Sequence, residues 1–325
     1  TRYTAVDGTA ELKQAIIAKL QRDNQLNYEP KQILVSCGAK QSLFNLMAAL
    51  LNDGDEVVIA APYWVSYPDI ALLFGARPVF VTAGAESRFK ISAQQLEEAL
   101  SERTRLVILN SPSNPTGTAY SHAELAELGA VLERYPQVVV ASDDIYEHII
   151  WRDEPFSNIV NASPSLSERA VVVNGVSKAY AMTGWRIGYA AGPAPLIGAM
   201  NKVQSQSTSN PSSISQAASV EALNGDQGCI APMLKAFKER HDFVLDKLNA
   251  MPGVSCTPCD GTFYCFPKMQ EAMERLGCDD DVAFAEKLLT EAGVALVPGS
   301  AFGLPGYARI SYATSMENLE KAMSR

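Results

Sequence analysis

Histidine is scarce in this chain, three in 325 residues, and there are only six cysteines. Six thiols are too few for a disulfide scaffold at this length, so they are expected to be the reduced thiols of a cytoplasmic protein. Cys256 and Cys259 form a C-x-x-C pair with Cys265 close behind, but no histidine stands near them in sequence, and no metal is expected. Long apolar runs are missing too: none approaches the roughly 20 residues a membrane-crossing helix needs. The opening Thr1-Arg2-Tyr3-Thr4 leads into polar sequence and does not read as an export signal. Basic residues are outnumbered, 27 Lys and Arg against 36 Asp and Glu, and a net charge of -9 argues against nucleic acid or anionic membrane as partners. Any anionic ligand must then be held by a few locally placed cations.

With 47% hydrophobic and 19% charged residues, the chain has the composition of a globular protein and the length for two domains. Five short apolar segments read as strands, each releasing polar or aromatic residues at its carboxyl end. Residues 33–35 run into Ser36-Cys37-Gly38-Ala39, and 56–60 break at Pro62 and present Tyr63-Trp64. Residues 105–109 end in SPSNPTG at 111–117, 138–141 run into Ser142-Asp143-Asp144-Ile145-Tyr146, and 170–173 lead through Asn174-Gly175-Val176-Ser177 to Lys178. Helical periodicity fills 11–22, 95–103 and 122–135. Strands alternating with helices predict an α/β, doubly wound, mostly parallel sheet that binds its ligand beyond the strands' carboxyl ends. After Gly192 the pattern turns helical, with a long helix over 231–248, and strand-like runs return at 254–267 and 294–313. The expected division is a large domain at 1–232 and a smaller α+β domain at 233–325.

The loops that converge carry chemistry. A lysine can form an imine with an aldehyde, and an arginine can grip a phosphate with two parallel hydrogen bonds; Lys178 and Arg186 lie eight residues apart around a strand exit. Gly38 and Ala39 open a helix, where free backbone amides and the dipole suit a phosphate. Each feature alone also fits a plain role: a surface lysine, a turn, a core tryptophan, a helix-capping aspartate.

The run VVVNGVSKAYAMTGWRIG at 171–188 resembles the active-site segment of the class I (fold type I) pyridoxal-phosphate aminotransferases of the aspartate aminotransferase type. The likeness continues through nearly the whole chain, in Asp-x-x-Tyr at 143–146, SPSNPTG, and Tyr-Ala-Arg-Ile-Ser at 307–311. It implies pyridoxal 5'-phosphate as cofactor, with Lys178 as its imine-forming lysine and Asp143 on the pyridine nitrogen. Tyr146 and Asn114 would bond the ring's phenolic oxygen, Trp64 would lie against the ring face and meet the substrate, and Gly38, Ala39, Ser177 and Arg186 would cradle the phosphate. Tyr3 would reach the phosphate of a neighbouring subunit, which implies a homodimer. The same likeness sets the Tyr3 segment some tens of residues into the family's chains, so an arm is expected ahead of Thr1.

Arg309 matches the arginine for the substrate α-carboxylate. The animal-type enzymes take a second arginine for a side-chain carboxylate, and its expected segment, 203–223, contains none. Lys40, by contrast, together with SCGAKQSLFNL and PYWVSYP, resembles a bacterial aspartate aminotransferase subgroup that recognises acidic side chains with a lysine. The activity implied is ping-pong transamination of aspartate or glutamate with 2-oxoglutarate or oxaloacetate, the amine of Lys178 having its pKa lowered by neighbouring cations. The alternatives are an aminotransferase for aromatic or other neutral amino acids, a carbon-sulfur lyase on the same fold, and the aminotransferase-like sensor half of a transcription regulator.

Overall fold

A computed structural model describes residues 2–325. Its centre is a seven-stranded sheet of β1 (Ile33–Ser36), β2 (Glu56–Ala61), β3 (Arg77–Thr82), β4 (Thr104–Asn110), β5 (Val139–Asp143), β6 (Ala170–Gly175) and β7 (Gly188–Ala191). The spatial order is β1-β7-β6-β5-β4-β2-β3. Neighbours from β6 through β5, β4 and β2 to β3 are parallel, and β7 runs antiparallel to both β6 and β1. The mostly parallel sheet expected from the sequence is thus present, with two strands that periodicity did not reveal. Strand β3 is a half-exposed edge, and β7 reads Gly-Tyr-Ala-Ala, without the branched residues that mark a buried strand.

Side chains alternate across the sheet as the two-residue period requires. Val35, Val58, Val107, Val140 and Val172 pack on one face with Leu12, Ile16 and Leu20 of the helix Ala10–Asn24 and Leu125, Leu128 and Leu132 of His122–Glu133. Leu34, Val57, Ile59, Ile108, Val171 and Val173 pack on the other with Leu43, Leu46 and Met47 of Ala39–Leu50. Covered on both faces, the sheet leaves only its strand ends to line a site.

A second, three-stranded sheet joins β8 (Tyr264–Cys265), β9 (Val297–Pro298) and β10 (Ala308–Ser311) in the order β8-β10-β9. The helix Ile230–Asn249 buries Phe237, His241, Val244 and Leu248, a stripe at helical spacing, in a separate apolar cluster with Tyr264, Cys265 and Tyr312. Position 232 falls in the first turn of this helix. No helix of the described residues is long and apolar enough to cross a membrane.

Candidate active site

The carboxyl ends of β1, β2, β4, β5 and β6 open on a cavity of about 300 Å³. Its walls include Ala39, Lys40, Trp64, Asn114, Asp143, Tyr146, Ser177, Lys178, Arg186 and Arg309, ten of the residues singled out in the sequence. Gly38 stands behind them as the N-cap of Ala39–Leu50, with φ at 89°. A β-carbon there would meet the Arg186 guanidinium, and one at Gly188 would strike the backbone of Gly38 and Ala39, so both glycines are needed to bring these segments together. The Gly38 amide itself donates to the Ser36 carbonyl at 2.8 Å. The amides of Ala39 and Lys40, next along this helix N-terminus, meet no acceptor among the described residues. Tyr3 lies away from this cavity and is 93% exposed.

Asp143, at the end of β5, is buried, and the Tyr67 hydroxyl donates to its Oδ2 at 2.6 Å. Burial pushes its carboxyl up to about 6, against the opposing effects of the Tyr67 hydroxyl, the Ile145 amide and the Lys178 amine. The adjacent Asp144 turns to the opposite side, where the Ser142 hydroxyl and the Asn158 amide donate to it at 2.7 and 2.8 Å. Of the two aspartates, Asp143 is the one that lines the cavity. The Lys178 amine lies 5.4 Å from the Tyr146 ring centre and 5.5 Å from that of Phe263. Its pKa is lowered, as expected, but the leading cause is burial; Asp143 pulls the other way, and the cations Arg309 and Arg186 add smaller downward pushes.

Arg309 projects from β10 between two aromatic faces, its guanidinium carbon 4.5 Å from the Tyr264 ring centre and 5.0 Å from that of Phe302. Nη1 donates to Asn114 Oδ1 at 2.9 Å, while Nε is buried with no partner. Stacking and that single bond leave the fork aimed but unsatisfied, the state that a carboxylate completes. Lys40 carries its amine 5.0 Å from the Trp64 ring centre, on the cavity wall. Arg186 is braced by bonds from Nη1 to the Thr183 carbonyl at 2.9 Å and from Nη2 to the Cys37 carbonyl at 3.3 Å.

Of the five wall residues not singled out in the sequence, three tie the site together. Tyr67 sits one helical turn after Trp64 and looks like a core tyrosine until β5 brings Asp143 to its hydroxyl. Asn110 donates to the Asp143 carbonyl and accepts the Asn114 amide, both at 2.9 Å, and so ties the 111–117 loop to β5. Tyr264, from β8, lies 3.2 Å from the Tyr146 hydroxyl. Only spacing to a motif could have flagged Tyr67; the other two depend on contacts across the fold.

These donors fit pyridoxal phosphate. Among the described residues none of Lys40, Lys178, Arg186 and Arg309 forms an ion pair, so four cations face one buried carboxyl in a chain of net charge -9. A phosphate suits Arg186, the Ser177 hydroxyl and the Ala39 amide, and a protonated pyridine nitrogen suits Asp143, whose carboxyl is otherwise poorly compensated.

The whole chain, residues 1–325, matches the family described as aminotransferase class I and II. Among similar curated proteins is an aspartate/prephenate aminotransferase of Nitrosomonas europaea, 55% identical over all of this chain and 83% of its own length. Another of that description, from Cereibacter sphaeroides, is 53% identical over all of this chain and 82% of its length. Among solved structures, the aspartate aminotransferase of Rhizobium meliloti superposes with a TM-score of 0.95 at 50% identity, covering all of this chain and 82% of that one.

Proposed function

This chain belongs to the class I and II aminotransferase family, and on that premise we propose that it moves the amino group of aspartate or glutamate to 2-oxoglutarate or oxaloacetate. As a family member it is a pyridoxal-phosphate-dependent enzyme acting on amino acids and 2-oxo acids. The preference for acidic substrates rests on one observation: the cavity holds more cation than a phosphate and one carboxylate require, with Lys40 and Arg309 both unpaired in its wall. The names of the similar proteins support the same reading and make prephenate a further oxo acid to assay.

Bound pyridoxal phosphate supplies an electron sink that acidifies the substrate's α-C–H. The chain's residues do the rest. Asp143 accepts a proton-bearing ring nitrogen at its carboxylate and is itself oriented by the Tyr67 hydroxyl. Arg186, Ser177 and the Ala39 amide anchor the phosphate, and Tyr146 and Asn114 address the phenolic oxygen. Arg309 fixes the substrate α-carboxylate, which sets the α-C–H towards Lys178. Burial lowers the Lys178 pKa, which eases release of its proton and suits the amine to hold the α-proton at Nζ. We further propose a cytoplasmic homodimer in which Tyr3, exposed on its own subunit, reaches the neighbour's phosphate, and a division at residue 232 that lets the smaller part carry Arg309.

Arg309→Lys replaces a planar stacked fork by a point charge; KM for every amino acid should rise about 10- to 100-fold, with kcat less affected. Steady-state kinetics on aspartate and phenylalanine check this. Lys40→Ala should lower kcat/KM for aspartate about tenfold or more and leave phenylalanine unchanged. Equal losses for both substrates would remove the specificity argument, and a wild type that prefers phenylalanine or eliminates from cystathionine would overturn the acidic reading.

A further inference from the structure

In sequence the Cys256, Cys259 and Cys265 group lacks a fourth ligand. Folding supplies it. The helix Ile230–Asn249 turns His241 into the small apolar cluster, where an imidazole nitrogen and the sulfurs of Cys259 and Cys265 lie within 4.8 Å of one another. All three residues are buried. Cys256 is buried too and neighbours the Cys265 thiol, as Cys259 does, but it lies outside that group of three. None of the four lines the catalytic cavity, and transamination uses none of them.

We propose that His241, Cys256, Cys259 and Cys265 form a structural metal site for a soft divalent cation, zinc foremost. The structure assembles three of these ligands; with the Cys256 thiol turned in as the fourth, three sulfurs and one imidazole make a closed tetrahedral set with no open position for chemistry, and thiolates select zinc over the hard cations. The histidine is already set as ligands are. Its Nδ1 lies 2.9 Å from Asp242 Oδ1, which keeps the ring proton on that side, and Nε2 points inward, accepting the Cys259 amide at 3.1 Å. Cys259 and Cys256 follow C-x-x-C spacing, and Cys265 comes from β8. As thiols these groups have only weak partners: Cys259 donates to the Tyr264 and Thr116 carbonyls at 3.1 and 3.3 Å, and Cys256 to the Thr257 carbonyl at 3.6 Å. Metal binding breaks three S–H bonds, releases the three protons to solvent and forms three metal–sulfur bonds and one metal–nitrogen bond, with no change of oxidation state. The Cys259 amide is then free to donate to a bound sulfur.

The site would fasten the 256–265 loop to the long helix. That loop reaches the active site on both sides: the Asp260 and Gly261 amides donate to the Gly117 carbonyl at 2.8 and 2.9 Å, and Tyr264 lies under Arg309. Metal loss should therefore loosen the carboxylate grip and raise KM before it lowers kcat.

Metal content of the holoenzyme tests the proposal. After exhaustive dialysis it is expected to retain about one zinc per subunit by plasma emission. Cobalt exchanged for zinc should give a sulfur-to-metal charge-transfer band in the cobalt-minus-zinc difference spectrum, where the cofactor's own absorbance cancels. Cys265→Ser and His241→Ala should lose the metal and the band, and the exposed Cys229→Ser should keep both. Because a core substitution can prevent folding, Asp242→Asn at the helix surface is the second variant, expected to weaken zinc binding about 10- to 100-fold with the fold intact. A reduced wild type that holds no zinc and shows no cobalt-sulfur band would overturn the site. So would a disulfide among these cysteines in the protein as purified, or metal content and affinity unchanged in folded Cys265→Ser and Asp242→Asn.

Discussion

Lys178→Ala should lower kcat about 10,000-fold or more, the largest loss available to a single substitution in this chain, because in the proposed mechanism one amine would both hold the cofactor aldehyde and handle the α-proton. The amine is well placed for this. It lies at the exit of β6, at the cavity wall, between the rings of Tyr146 and Phe263 and within electrostatic reach of Asp143, Arg186 and Arg309. Burial already weighs against its charged form, which favours release of the proton. Cofactor retention should fall far less than turnover, since Arg186, Ser177, Asp143 and the Ala39 amide remain. Single-turnover kinetics with aspartate, alongside a cofactor titration, would separate the two. A variant that binds cofactor and turns over at a wild-type rate would remove Lys178 from the mechanism.

Asp143→Asn should rank second, with kcat down about 1,000-fold, because a neutral amide cannot hold a positive ring nitrogen and the electron sink weakens. The same substitution should act on stability in the opposite direction. An aspartate ordinarily titrates near about 3.9, and burial raises Asp143 to about 6 in the cofactor-free fold. The folded chain therefore favours the protonated form. Stability from this group is present below about pH 4 and is lost as pH climbs to about 6, where the loss levels off. Asparagine carries no charge to desolvate, so the Asp143→Asn apoprotein should melt above the wild-type apoprotein near neutral pH and match it at low pH. Addition of cofactor should then raise the wild-type Tm more than the variant's. Thermal melts with and without pyridoxal phosphate at the two pH values check the sign, and a variant apoprotein that melts lower near neutral pH would contradict it.

How much of this was legible before folding depends on where the information lies. Strands β2, β4, β5 and β6 are buried on both faces and so appear as branched apolar runs, each followed by its site residues. Edge strand β3 escaped because half of it is exposed, and β7 because Gly188 is kept small by the crowding of Gly38 and Ala39. Lys178, Asp143, Asn114 and Arg309 stood out through the family resemblance of their motifs, and the fold brings all four to one cavity wall. Tyr67 and Tyr264 did not, since a tyrosine that bonds a partner 76 or 118 residues away is, in sequence, one more buried ring. Local reading also misjudged one cause. The Lys178 pKa falls chiefly through burial, a quantity that exists only after packing. His241 shows the same limit, 15 residues ahead of Cys256, the first of its cysteines, in sequence and against Cys259 and Cys265 in the fold.

Borohydride reduction of the purified holoenzyme, followed by peptide mapping, locates the amine that carries the cofactor. The pyridoxyl mass should fall on Lys178 alone, and prior addition of excess aspartate should prevent it by displacing that amine. A label on Lys40, the other lysine of the cavity wall, or on any lysine outside it, would contradict the assignment from which the remaining roles follow.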